Sequence, residues 1–272
     1  MKRFKLLLVV LIVTFVGIPH STYAQSALKA SSPPILKINQ YYILFTYPTS
    51  PYVDQNNRLL VPLRSLSDLL GAKVAYDAGT KKATIDLDGH QLILTLNSKD
   101  ALVDQQVKHM DTVPVQKQNS LFVPLKVMID YLAVNGTYHA DTKVIELNDS
   151  KYMKNTPHLT EETQDRAKLD EDQNAFSITS YQVNVGKTNQ KGIWTGSFTY
   201  QAKNITGHTI AQGKEDVHSV VLLANGNTQV EVYNYMREKH KAVSAEESIT
   251  KTQNLIGNAD LAYIIVKPYA VK

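Results

Sequence analysis

Residues 57–76 read NRLLVPLRSLSDLLGAKVAY and residues 119–138 read NSLFVPLKVMIDYLAVNGTY, so the chain writes nearly the same phrase twice, with Pro62 and Pro124 62 positions apart. In the first copy RLLV is a strand candidate, Pro62 stands where a helix can begin and Gly71 where it can end. Proline is tolerated at that point because the first helical N–H has no intrahelical partner, and glycine accepts the left-handed cap. Leu63, Leu66 and Leu70 form one apolar stripe of a short helix. AKVAYD and KKATIDLD then read as strands, the second with Ala83, Ile85 and Leu87 on one face. The second copy keeps the plan with SLFV, Pro124, the stripe Leu125, Met128 and Leu132, then GTYHAD and KVIELN. Each copy is strand, short helix, strand, strand, a unit too small to bury its own apolar face. Two copies stacked together share one core. ILKINQYYILF and HQLILTLNSKDALVDQ add strands, which predicts a compact α+β domain over residues 35–150.

The first residues point to export. Lys2, Arg3 and Lys5 form a positive region, Leu6–Ile18 is apolar throughout, and Thr22 and Ala24 supply the small residues of a cleavage site, the pattern of a secretory signal peptide over residues 1–24. That apolar run falls short of the roughly 20 residues a membrane-spanning helix needs, and no second hydrophobic span follows it. Three of the 29 basic residues and none of the 25 acidic ones precede Gln25, which leaves the remainder at +1 instead of +4. With no clustered basic run, a nucleic-acid partner is not expected. The chain has no cysteine, which excludes disulfides, thiolate metal sites, a thiol nucleophile and a lipid-modified cysteine.

Residues 151–175 are polar and charged and read as a solvated linker. Asp170, Asp172 and Asn174 occupy the first, third and fifth places of a calcium loop, but Ala175 and Tyr181 stand where Gly and Glu are required. Residues 176–272 read as a small antiparallel β-rich α+β domain. FSITSYQVNV and GIWTGSFTYQAKN alternate as strands, Asn225-Gly226 marks a hairpin turn, and LAYIIVKPY is a buried final strand. Ser244 with Glu247 has the form of a capping box and predicts a helix through Leu255, stopped by Gly257.

NNRLLVPLRSLSDLLGAKVAYD followed by NSLFVPLK resembles the copper amine oxidase N-terminal domain-like family, a stalk module of exported Gram-positive bacterial proteins. The likeness covers residues 35–150. This chain has Asn57 where the family usually has Gly, Tyr76 where it has Trp, Lys126 for Arg in the second copy, and Ala133 without a glycine. The resemblance implies a non-catalytic stalk and carries no copper with it, because in the amine oxidases the metal and quinone chemistry belongs to a separate catalytic domain with a His-x-His pair. His90, His109, His139, His158, His208, His218 and His240 contain no such pair, and Asn234-Tyr235 is followed by Met236 where that chemistry has an acid. No cofactor and no metal are expected.

Arg64 and Lys126 stand near helix N-termini, where a cation is mildly unfavourable. A clamp to Asp77 or Asp141 is the structural reading; contact with an anionic ligand is the functional one. Asp216, His218 and Ser219 are neighbours in sequence, but alternate strand residues face opposite ways and do not make a triad. No nucleophile elbow, zinc-helix or phosphate-loop motif occurs. Trp194, Tyr233 and Tyr235, with Phe198 and Tyr200, are the ligand-binding candidates, although Trp194, Gly196, Phe198 and Tyr200 share one strand face of the kind that usually packs inward. The reading is a secreted, extracellular, non-catalytic envelope protein that binds cell-wall polymer, glycan or another envelope protein. The alternative is a secreted hydrolase with its site in residues 176–272. N-terminal sequencing of the exported protein should find its first residue at or near Gln25; a product retaining Met1 would contradict the signal peptide.

Overall fold

The computed structural model describes residues 34–154, 170–230 and 239–272. The expected signal peptide, most of the linker, Tyr233 and Tyr235 lie outside the described residues.

The described residues form twenty strands and two short helices. A hairpin of β1 (Ile35–Ile38) and β2 (Tyr41–Thr46) comes first, and β3 (Tyr52–Val53) and β4 (Leu59–Pro62) lead into α1 (Leu63–Leu70). A meander follows, formed by β5 (Lys73–Asp77), β6 (Lys82–Leu87), β7 (His90–Thr95), β8 (Asp100–Val103) and β9 (Gln106–His109). Then come β10 (Val115–Lys117), β11 (Ser120–Pro124), α2 (Leu125–Tyr131), β12 (Gly136–His139) and β13 (Val144–Leu147). The remainder is β14 (Glu171–Asp172), β15 (Phe176–Val185), β16 (Trp194–Asn204), β17 (Glu215–Leu223), β18 (Thr228–Val230), β19 (Ser248–Gly257) and β20 (Leu261–Val271).

The echoed phrases form equivalent corners. Pro62 and Pro124 sit in extended backbone immediately before α1 and α2. Gly71 ends α1 in the left-handed region, with φ 80°. Ala133, its counterpart 62 positions on, takes φ 50°, a conformation that disfavours any residue with a Cβ. β4 and β11 pair antiparallel, with Val61 opposite Val123, and each helix packs on the other phrase's strand as well as on its own. Leu63, Leu66, Leu70, Leu125, Met128 and Leu132 all enter one apolar cluster. Beyond the helices the copies part. β5 and β6 begin the five-stranded meander, whereas β12 and β13 join a larger sheet, in which β13 runs parallel to β1.

That larger sheet has the order β12-β13-β1-β2-β20-β17-β18, with β14 on the end of β20. It is the shared wall of two cores. Leu36, Ile43, Ile145, Val220 and Ile265 face the cluster that holds α1 and α2, while Tyr42, Leu44, Val217, Val221 and Val266 face a second cluster closed by the sheet β15-β16-β19. A sheet covered on both faces requires strands apolar at nearly every position, which is how YYILFT and LAYIIVKPYAV read.

Two expectations change. The first concerns the division between residues 35–150 and 176–272, which does not coincide with a break in the sheet. β2 pairs with β1 on one edge and with β20 on the other, because a strand buried at all six positions leaves no edge group to water. The described residues, all of them within 32–272, accordingly belong to one compact unit. The second concerns the α+β character of the C-terminal part. Among the described residues of 170–272 there is no α-helix, and the segment expected to be helical is mostly β19. Its turn chemistry is present, since the Ser244 N–H donates to Glu247 Oε2 at 2.7 Å, but β-branched Ile249, Thr250 and Thr252 follow, and pairing with β16 over ten residue pairs overrides the local helix signal. The expected hairpin at Asn225-Gly226 forms between β17 and β18, with Gly226 at φ 85°. Among the described residues no helix is long and apolar enough to cross a membrane.

Leu66 and Met128 are 1% and 0% exposed within the shared cluster. Truncating either to Ala should cost about 2–5 kcal/mol of unfolding free energy, measured by denaturant titration of the full chain. The two losses should fail to add in the double variant.

Candidate functional site

Trp194 begins β16 and is buried, with its Nε1–H donating to the Ala259 carbonyl at 2.6 Å. Gly257 lies against its indole so closely that a Cβ there would fall 2.4 Å from the ring. Phe198 and Tyr200 are stacked in the same interior, their centroids 5.7 Å apart. The strand face expected to be either core or binding platform is therefore core, and Trp194 is unavailable as a surface contact.

β17 carries buried ionisable groups and divides them between its faces. Glu215 is buried, with Oε1 3.0 Å from Lys251 Nζ and Oε2 2.9 Å from His240 Nδ1, and its Oε1 also accepts the Val217 N–H. Lys251 donates in addition to the Val217 carbonyl. Ser219 faces this side too, and its hydroxyl donates to Gln253 Oε1 at 2.6 Å. His218 lies on the opposite face, its Nδ1 held at 3.0 Å from the Asp216 carbonyl and its ring edge-on to Tyr269. Burial pushes the Tyr269 phenol far above its ordinary value of 10.0. Ser219 and His218 are thus separated by the thickness of the sheet and share no proton path.

The partial calcium loop does not converge. Asp170 pairs with Lys272 at 3.0 Å, Asp172 Oδ1 accepts the Asn174 N–H, and the Asn174 side chain accepts from Lys37. Among the described residues no cluster of His, Asp and Glu has metal-binding form.

The expected clamps of Arg64 and Lys126 do not form. Lys126 pairs with Asp130 one turn along its own helix, at 2.8 Å, and Asp77 is occupied by the backbone of Gly79 and Thr80 and by the Thr80 hydroxyl. Arg64 is exposed and, among the described residues, no ion pair or hydrogen bond holds it. The charge it influences is the Asp68 carboxyl on the next turn, which burial pushes above its ordinary value while Arg64 draws it down. Arg64 instead lines an open groove.

That groove, of about 310 Å³, lies between α1, β5 and the β10–β11 hairpin. Tyr47 follows β2, Arg64 and Ser65 come from α1, Val74 and Tyr76 from β5, and Gln116, Asn119 and Ser120 from the hairpin. Tyr47 and Tyr76 are each 43% exposed. Strand alternation explains Tyr76, which stands opposite Ala83 in the β5–β6 register, so no larger neighbour covers its ring. Gln118 and Asn119 both have positive φ, 48° and 58°, a tight two-residue turn of the type favoured in hairpins. The walls are braced from below. Ser65 Oγ donates to the Tyr47 carbonyl at 3.0 Å, the Tyr47 N–H donates to Ala262 at 2.8 Å, and the Tyr263 hydroxyl donates to the Ser65 carbonyl at 3.3 Å. Arg64 is the single charged residue of the lining. Of the groove residues, Arg64 was singled out in the sequence, as either a clamp or an anion contact; Tyr76 was legible only as a strand aromatic, and Tyr47 and Asn119 carried no signal of their own.

Both phrases, both helices and the whole groove fall inside one recognisable span. Residues 37–147 match the family model of the copper amine oxidase N-terminal domain. In the copper amine oxidases that N-terminal domain is a non-catalytic module, and residues 37–147 are similar to it. No curated protein matches the chain. A solved structure described as "X-ray structure of Northeast Structural Genomics Consortium target SoR45" is similar at 13% identity, over 37% of this chain and 84% of that one, with a TM-score of 0.26, a likeness too low to bear on the fold.

The Glu215 arrangement should prove structural. Replacing Glu215 with Ala strands Lys251, whose side chain is 12% exposed, without its carboxylate and should cost about 3–5 kcal/mol in denaturant unfolding. Glu215→Leu combined with Lys251→Met should recover most of that loss.

Proposed function

We propose that this chain is an exported, non-catalytic cell-envelope protein that binds wall polymer, glycan or another envelope protein. In this reading residues 35–150 are the structural stalk module, and the strands of residues 170–272 complete its central sheet so that the whole is one rigid carrier. The observation that carries it is the contrast between interior and surface. Glu215 of β17 is committed to Lys251 and His240, and His218 to the Asp216 carbonyl, while the open groove offers aromatic rings, amides and one cation but no acid–base pair. Such a lining suits recognition, since catalysis of hydrolysis needs a positioned base or nucleophile within reach of the bound bond. The positively charged first residues and the apolar run that follows them support export.

The separation of Ser219 from His218 supports the binding reading over a hydrolase in residues 176–272. The test is to fractionate producing cells into medium, wall and membrane, with and without a high-salt wash, and to sediment purified mature protein with isolated wall material. Recovery in the medium or the salt-sensitive wall fraction, with co-sedimentation and no release of new reducing or amino ends from the wall material, is the expected outcome. Recovery only in the membrane fraction, or progressive release of such ends, would overturn the proposal.

A further inference from the structure

We infer that the groove between α1, β5 and the β10–β11 hairpin is a binding site for an acidic saccharide chain, with Arg64 taking the sugar's oxyanion and Tyr47 and Tyr76 taking its rings. This rests on the binding role proposed above and names its ligand and place. Three observations on the same surface carry it. The first is charge. Arg64 is exposed, no hydrogen bond or ion pair among the described residues ties its guanidinium down, and no Asp or Glu lines the groove. Its electrostatic neighbour Asp68 lies one turn further along α1 and outside the lining. A guanidinium in that position retains its fork of donors for a planar oxyanion.

The second observation is the pair of tyrosines, each 43% exposed, in a lining whose other exposed groups are polar. Aromatic faces take up the C–H faces of sugar rings while the phenol hydroxyls stay in water, which suits a ligand that is apolar on its faces and polar at its rim. The third is the set of amides and hydroxyls at the opposite wall. Gln116, Asn119 and Ser120 each supply both donor and acceptor capacity, matching a polyol and not a bare anion. The walls are preorganised, because Ser65 joins Tyr47 to α1 and Tyr263 joins Ser65 to the central sheet. Little ordering of the protein then opposes binding.

The test is calorimetric titration of the full mature chain with an α-1,4-linked galacturonic acid hexamer, an N-acetylglucosamine hexamer, galacturonic acid monomer and inorganic phosphate. The acidic hexamer should bind at least about tenfold tighter than the neutral one, the difference expected of one charge-assisted contact. Raising the salt should erase much of that difference. Arg64→Gln should remove the preference while leaving the neutral hexamer and the melting temperature unchanged, and Tyr76→Ala should weaken both hexamers. Equal affinity for the two hexamers, wild-type binding by Arg64→Gln, or no binding of either hexamer would overturn the inference. Phosphate displacing the acidic hexamer at equal concentration would overturn the saccharide part of it. If the wild type still co-sediments with wall material while neither hexamer binds, this inference alone falls; if it does not co-sediment either, the binding role falls with it.

Discussion

The structure depends on where β20 lies. The last strand of the chain sits between β2, near the start of the described residues, and β17. Its side chains alternate between the two apolar clusters, Tyr263 and Ile265 on one side and Ile264 and Val266 on the other. Without it, β2 would present an unpaired and almost wholly apolar edge, the kind of edge that soluble proteins cover. One strand therefore closes the backbone hydrogen bonding of the central sheet and joins both cores. The groove inherits its rigidity from the same place, because Ala262 and Tyr263 hold the Tyr47 backbone and the first turn of α1.

The polar interior follows from the same packing. β17 lies beside β20 and is covered on both faces, yet it carries Glu215, Asp216, His218 and Ser219. Burial of such groups is tolerable only with partners, and Glu215 has three, from its own strand, β19 and His240. These contacts fix how the three-stranded sheet seats on the central one, which is a structural use of ionisable chemistry. Surface chemistry is left to the opposite part of the molecule, where short helices and a tight hairpin leave side chains in water.

The repeated phrase was legible because its signals are local. Proline before a helix, a leucine stripe and glycine in the left-handed region act within a dozen residues, and Leu63, Leu66, Leu70 and Gly71 did what their spacing implies. The Ser244–Glu247 segment misled for the same reason. Its capping contact forms, but the decision between helix and strand was taken by ten pairs with β16, a partner distant in sequence. Trp194 was ambiguous from its strand alone; Gly257, its partner across the β16–β19 register, and the Ala259 carbonyl in the turn that follows β19 make it core.

The sequence by itself determined the strand–helix corners at Pro62 and Pro124, the apolar faces of β6, β16 and β20 and the exclusion of thiol chemistry, all of which depend on residue type and short-range spacing. Tertiary structure alone decided that β13 would run parallel to β1, that the C-terminal strand would lie beside the N-terminal hairpin, and that Arg64 would face a groove in place of Asp77. Those outcomes are set by which edges remain unpaired once each local unit has formed, and unpaired edges find partners through space without regard to distance along the chain.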